Sequence, residues 1–207
     1  MRTSHLPNVA IVLSIASSLW CSPLHGQWRV GVEVGAARFW GASLDTGGDH
    51  TSFRPYRPTT FGIGLQRQTG RYAMGLQVHY AEASLALQGP DVLISSAGVF
   101  TIVSFSPELA VRVATLGSGN QLRVHAGPLF EVWNIIDQDS RTRVGAQGAV
   151  SFDVPLGGRF GGVVLVGAAV TPSPYKEGEL DLGGSAPTYD LRTLWRRRLA
   201  LGLRYQL

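Results

Sequence analysis

From Trp195 to its last residue the chain alternates. Trp195, Leu199, Leu201, Leu203, Tyr205 and Leu207 share one parity, interrupted by Arg197, while Arg196, Arg198, Ala200, Gly202, Arg204 and Gln206 hold the other. Side chains on a β-strand project alternately to opposite faces, so a period of two means a strand with one greasy face and one small or polar face. A membrane helix would need roughly 18 uninterrupted apolar residues. Beyond the N-terminal segment the longest apolar run, Phe160 to Val170, has 11 residues and contains three glycines. If this chain enters a membrane, it does so with strands.

The alternation recurs along the sequence. Trp28, Val30, Val32, Val34, Ala36 and Trp40 oppose Arg29, Gly31, Glu33, Gly35 and Ala37, and Phe61, Ile63 and Leu65 oppose Gly62, Gly64 and Gln66. Tyr72, Met74, Leu76, Val78 and Tyr80 oppose Arg71, Ala73, Gly75, Gln77 and His79. Only Thr69-Gly70 separates this strand from the one before, the mark of a tight hairpin. Val99 to Thr115 reads as one long strand, in which Pro107 removes a ladder donor and predicts a bulge or local kink. Leu122 to Val132 and Val144 to Val154 follow, with Arg123, His125, Glu131, Arg143 and Asp153 on their polar parity. The strand from Phe160 to Thr171 is apolar on both parities. Its small residues Gly161, Gly167 and Ala169, with Val163 and Leu165 between them, are assigned to the inner face.

Short turns at 69–70, 116–120 and 155–158 alternate with longer loops at 41–58, 88–97, 135–141 and 172–192. Outer-membrane barrels alternate in this way, with short periplasmic turns at one end and longer external loops at the other. Alternation by itself is shared with soluble barrels and sandwiches, whose apolar face turns inward. A soluble barrel would carry lysine and glutamate outside. Here charged residues are only 15%, Lys176 is the sole lysine, and the polar parity is rich in Gly, Ala, Gln and Ser with mixed Arg, Glu and Asp, which suits a narrow packed lumen. On the greasy parity aromatics gather near strand ends: Trp28, Tyr72, Phe160 and Tyr205 at the short-turn end, Trp40, Tyr80 and Trp195 at the loop end. Two interfacial girdles have this layout. The predicted fold is all-β, a closed eight-stranded antiparallel up-and-down transmembrane β-barrel.

The segment before the first strand has the layout of a secretory signal: Arg2 and His5, the apolar stretch Val9 to Ala16, then Ser17 to Trp20. Cleavage after Gly26 divides the 207 residues into a signal peptide, 1–26, and a barrel, 27–207. The only cysteine, Cys21, lies in that leader, so no intramolecular disulfide is expected. Trp20 stands before it, where a lipoprotein acceptor site has a small residue.

Gly202, Leu203, Tyr205 and Leu207 resemble the C-terminal signature strand of bacterial outer-membrane proteins. The signature ordinarily ends in Phe or Trp and carries a polar residue where Ala200 stands. From 28 to 207 the pattern as a whole is similar to the small outer-membrane β-barrel family of the OmpA and OmpX type. That resemblance implies residence in the bacterial outer membrane, contact with its lipid and lipopolysaccharide, recognition of the last strand by the barrel-assembly machinery, and a monomer.

Eight strands enclose a space that side chains can fill, unlike the wide porins. The expected lumen network is Arg29, Glu33, Arg71, His79, Glu108, Arg112, Arg123, His125, Glu131, Arg143, Asp153, Arg196, Arg198 and Arg204. Its first reading is a structural ion-pair core, and its rival a narrow small-solute or ion channel. Histidine as a residue type titrates near neutral pH, so His79 and His125 are candidates for acid and base work. A lipid-modifying enzyme on this fold has a His and a Ser two apart on one strand, and neither histidine has that partner. We therefore expect no catalytic residues, no cofactor and no metal. Arg197, on the greasy parity near the external rim, is placed to meet a lipopolysaccharide phosphate or to snorkel to water. The loop acids Asp45, Asp49, Asp91, Asp137, Asp139, Glu177, Glu179 and Asp181 lack the spacing of a calcium loop and read as solvated carboxylates. The net charge of +4 is spread over scattered arginines, so nucleic acid is not an expected partner. What remains is a structural or surface-interaction role carried by the loops at 41–58 and 172–192.

Overall fold

The computed structural model describes residues 27–45, 52–88, 93–136, 139–175 and 189–207. The expected signal peptide, with Cys21, lies outside them, as do the loop acids Asp49, Asp91, Asp137, Glu177, Glu179 and Asp181. Eight strands follow in order: β1 (Gln27–Asp45), β2 (Ser52–Thr69), β3 (Tyr72–Gln88), β4 (Leu93–Thr115), β5 (Gln121–Ile135), β6 (Arg141–Gly157), β7 (Phe160–Thr171) and β8 (Tyr189–Gln206). Each pairs antiparallel with its sequence neighbour, and β1 pairs with β8, from Arg29↔Gln206 to Asp45↔Tyr189, to close the barrel. A closed sheet has no unpaired edge, which a hydrocarbon environment demands of any strand that crosses it.

The paired residues Gln27, Gln68, Ala73, Ala110, His125, Ala149, Gly167, Arg198 and Ala37 lead once around the barrel. The circuit returns to β1 ten positions above its start, from 27 to 37. That stagger tilts the strands, and with eight of them it sets an interior about one side-chain layer wide on each wall.

The strands run further than the alternation suggests. β1 reaches Asp45 and β2 starts at Ser52, so the connection expected at 41–58 is shorter; β4 starts at Leu93, inside the expected loop 88–97, and β8 at Tyr189, inside 172–192. Register shifts of one residue at Gly41/Ser43 and Tyr56/Thr59 and of two at Ala83/Leu85 explain the difference. A bulge adds one residue to one strand and flips the parity beyond it, so a search for period two ends there although the ladder continues.

The first hairpin turn is also shifted by one residue. Thr69 pairs with Tyr72, so the turn is Gly70-Arg71, with Gly70 at φ 61°. Pro107 produces no register shift either: the β4–β5 ladder runs to Phe105↔Phe130 and resumes in the same register at Leu109↔Ala126. In that register Pro107 faces Pro128. Neither can donate, and the two vacancies coincide instead of displacing the strands. The Ser106 hydroxyl donates to the Pro128 carbonyl at 2.7 Å and satisfies one of the acceptors left over. The register shift on this pair falls lower, at Arg112/Ala114.

The greasy parity faces outward. Leu199, Leu201 and Leu203 are 55, 58 and 52% exposed, whereas the side chains of Arg198 and Arg204 are 10 and 11% exposed inside. Val32, Val34, Phe61, Ile63, Leu65, Met74 and Leu76 continue the apolar wall on the neighbouring strands. In β7 the inward set is the small-residue parity, with Val163 and Leu165 buried.

Candidate functional site: the barrel lumen

The alternation that exposes leucine on one face gathers the polar side chains in the middle, where they form layers. Near the short-turn end Asp153 of β6 accepts from Arg204 Nη1 at 2.7 Å and faces Arg123 Nε at 3.0 Å. Arg123 also donates to Gln68 at 2.7 Å and Gln121 at 2.5 Å. Arg29 lines the mouth here, beside a cavity of about 220 Å³ that it shares with Asp153 and Arg204. Arg112, half-buried, lies opposite Arg123 on the β4–β5 pair.

Above this layer two carboxylates organise the centre. Glu33 of β1 lies 2.7 Å from His79 Nε2 and 3.0 Å from Arg198 Nη1, and Arg198 also contacts His79. Gly62 makes room for the group, because a Cβ there would stand 2.6 Å from the His79 ring and 2.7 Å from Glu33 Cγ. Glu108 of β4 accepts from Gln66, from Gln77 at 3.3 Å and from His125 Nδ1 at 3.4 Å. Higher still, Glu131 of β5 pairs with Arg196 Nη1 at 2.7 Å and accepts from Trp133 Nε1 at 3.1 Å and Thr171 at 3.4 Å. Charges removed from water need opposite charges or satisfied lone pairs: Glu33 and Glu131 each have an arginine, and Glu108 is held by the two glutamine amides and the His125 ring.

His125 and Ser151 form the most chemically suggestive pair. Ser151 Oγ lies 2.8 Å from His125 Nε2, and His125 Nδ1 faces Glu108, so hydroxyl, imidazole and carboxylate are in the order of a nucleophile, its base and the group that orients it. A search for His and Ser two apart on one strand misses the pair, because they come from adjacent strands; His125 is in register with Ala149, one diagonal step from Ser151. Ser151 is nevertheless completely buried, and its hydroxyl donates to Asp153 at 3.1 Å. Glu108 is shared with two glutamines. The group is a hydrogen-bonded chain linking two layers of the lumen, with no space for a substrate carbonyl at the serine.

The loop end of the lumen is apolar. Phe39, Phe100, Ile102, Trp133, Leu194 and Tyr175 pack into one buried cluster, in which Trp133 meets Phe39 and Phe100 edge-on with ring centres 6.0 Å apart in each case. Tyr175 descends from the segment after β7. Arg141 donates to the Pro174 carbonyl at 2.7 Å and Arg143 Nε to the Ser173 carbonyl at 2.6 Å, and these two guanidiniums hold that segment across the mouth. Burial pushes the Tyr175 phenol well above its ordinary pKa.

Of the expected lumen residues, Arg29, Glu33, His79, Glu108, Arg112, Arg123, His125, Glu131, Asp153, Arg196, Arg198 and Arg204 face inward. Arg71 does not: it is the second residue of the exposed turn, where it donates to the Tyr72 hydroxyl at 2.9 Å and lies over that ring. The one-residue shift of the hairpin takes it out of the alternating strand. Arg143 points to the loop carbonyls instead of an acid. Gln66, Gln77, Ser106, Gln147 and Ser151 complete the network; they stand on the polar parity, but an inventory of charged groups passes over them. The aromatic plug stands on that parity too: Phe39, Phe100, Ile102 and Trp133 occupy inward positions where a polar lumen was expected. Among the described residues no group of three His, Cys, Asp or Glu side chains is placed to hold a metal ion.

No family model and no curated protein matches this sequence. Solved structures do match the fold. The chain is similar to the outer membrane protein OprG from Pseudomonas aeruginosa, with 12% identity, 88% of this chain and 96% of that chain covered and a TM-score of 0.58. It is also similar to Neisserial surface protein A, with 8% identity, coverage of 87 and 97% and a TM-score of 0.56. At such identities the likeness is one of architecture: the chain has the closed antiparallel β-barrel fold of small outer-membrane proteins.

Proposed function

We propose that the protein is a bacterial outer-membrane barrel with a structural or surface-interaction role, displaying the loop-end connections around 41–58 and 172–192 and catalysing no reaction. The observation that carries this reading is the combination of an apolar outer wall with a filled lumen. A belt of half-exposed Leu, Val, Ile and Phe around every strand far exceeds the apolar patch of a water-soluble monomer and suits hydrocarbon. Inside, the Asp153, Glu33, Glu108 and Glu131 layers lie in sequence beneath the Trp133 plug, so the lumen serves as a core. The leader 1–26 would export the chain, the β8 strand would engage the assembly machinery, and the monomer would sit among outer-membrane lipids and lipopolysaccharide.

Two measurements test this. The mature protein should stay with outer membranes through urea extraction and shift its gel mobility on boiling. Reconstituted in planar bilayers it should give no discrete conductance. Release with the periplasm would refute the membrane placement, and regular single-channel steps would replace the structural role with a narrow channel. A lipid-modifying activity would instead appear as an altered lipid A mass on overexpression.

A further inference from the structure

On the outer wall, at the level of the loop-end girdle, Arg38 of β1 lies directly opposite Arg197 of β8. Both are exposed on the parity that otherwise carries leucine, valine and tryptophan. Like charges facing each other across an antiparallel pair are unfavourable. A third guanidinium adjoins them. The β1–β2 ladder ends at Ala36↔Thr59, two residues before the position at which Arg57 of β2 would face Arg38. Arg57 is exposed and held at φ 37°, in the left-handed region that a side-chain-bearing residue seldom adopts, on the bulge between Tyr56 and Thr59. Strain of that kind persists where the surrounding structure imposes it, often at binding positions.

These three arginines line one cleft of about 560 Å³, with Trp40 and Tyr56 beside them and Leu199 and Val166 below; the buried Phe39, Pro55 and Arg198 also line it. Arg197 lies 4.7 Å over the Trp40 ring, Trp40 stacks on Trp195, and Arg57 lies 5.0 Å over Tyr56. The aromatic contacts fix the Arg57 and Arg197 guanidiniums in place but leave their charge unneutralised. Among the described residues none of the three pairs with a carboxylate, and the nearby Glu82 takes its hydrogen bond from Tyr80.

We infer that Arg38, Arg57 and Arg197 form a binding cleft for the phosphate of a phosphorylated glycolipid in the outer leaflet, the lipid A portion of lipopolysaccharide, whose acyl chains lie along the Leu199 and Val166 wall. The inference rests on the outer-membrane reading proposed above. Its chemistry is that of planar guanidinium forks, which bind phosphate oxygens in pairs and do so best where water is scarce. The girdle is the level at which head groups meet the protein. An anion there would remove the Arg38–Arg197 repulsion, and its attached chains would cover the greasy surface beneath.

The test is native mass spectrometry of the folded protein from detergent micelles, titrated with lipid A or with chemically dephosphorylated lipid A. Wild-type protein should retain lipid A at least tenfold better than the dephosphorylated form, and the triple variant Arg38→Gln, Arg57→Gln, Arg197→Gln should lose that preference. In detergent without phosphate the triple variant should be no less stable than wild type, because a repulsion has been removed. Equal retention of the two lipids by wild-type protein would overturn the proposal without any variant having to fold. Equal retention by the triple variant would overturn it as well. A wild-type protein that fails to insert into phosphatidylcholine vesicles would bring down the membrane reading itself, whereas one that inserts without preferring phosphorylated lipid refutes the cleft alone.

Discussion

Arg196→Met is the sharpest perturbation of the lumen. Its partner Glu131 has a side chain 2% exposed, and Arg196 itself is 8% exposed. The guanidinium is 2.7 Å from the carboxylate, and the other donors to Glu131, from Trp133 and Thr171, are neutral. Arg143, its cross-strand neighbour, is turned to the loop carbonyls and does not replace the lost charge. Removing one partner of a buried pair leaves an uncompensated charge and costs about 3–5 kcal/mol. At 1.4 kcal/mol per decade that is roughly two to three and a half orders of magnitude in the unfolding equilibrium. Replacing both partners, Glu131→Leu with Arg196→Met, removes the charge together with its penalty and should recover most of the loss. Reversible urea unfolding in lipid vesicles, followed by tryptophan fluorescence, measures both variants. A single variant costing under about 1 kcal/mol would mean that water reaches Glu131 and the lumen is wet, and a double variant as unstable as the sum of the singles would refute the pairing.

Further outcomes can be read in the same unfolding assay. Leu201 stands about midway between the Trp195 and Tyr205 girdles, and Leu201→Arg should cost about 2–4 kcal/mol if hydrocarbon touches it; a neutral result would argue for water on that wall. Gly127→Ala would bring a Cβ to 2.1 Å from the Pro107 carbonyl oxygen and should cost about 1–3 kcal/mol or more, whereas Gly148→Ala, whose nearest neighbour is at 3.6 Å, should be tolerated. Trp133→Ala should cost about 3–5 kcal/mol and still give no conductance in planar bilayers, because the Glu131–Arg196 and Glu33–Arg198 layers remain beneath it. The raised pKa of Tyr175 favours its neutral form in the folded state, so its stabilisation is present below the ordinary tyrosine pKa of 10.0 and declines as pH rises beyond it. Tyr175→Phe should flatten that alkaline decline, and an unchanged profile would show that the phenol is not sealed.

The alternation of Leu199, Leu201 and Leu203 with Arg198, Ala200 and Arg204 was enough to read strands, their number, the alternation of turns and loops, and the side of the sheet on which most charges lie, Arg71 at the shifted hairpin being the exception. A period of two is a local property, and any strand of a barrel expresses it residue by residue. Partners are another matter, because they depend on stagger. The ten-residue offset around the barrel brings Glu131 to Arg196, Glu33 to His79 and Arg198, and His125 to Ser151, and no spacing within one strand encodes those meetings. The bulges at Gly41/Ser43 and Tyr56/Thr59 shift parity where the ladder continues, which concealed the length of the strands and the outward placement of Arg57 beside Arg38. The inward aromatics that seal the loop end follow the same rule: their parity was visible, but only closure of the sheet decided that Phe39, Phe100, Trp133 and Tyr175 converge on one axis and fill the space where a channel would otherwise run.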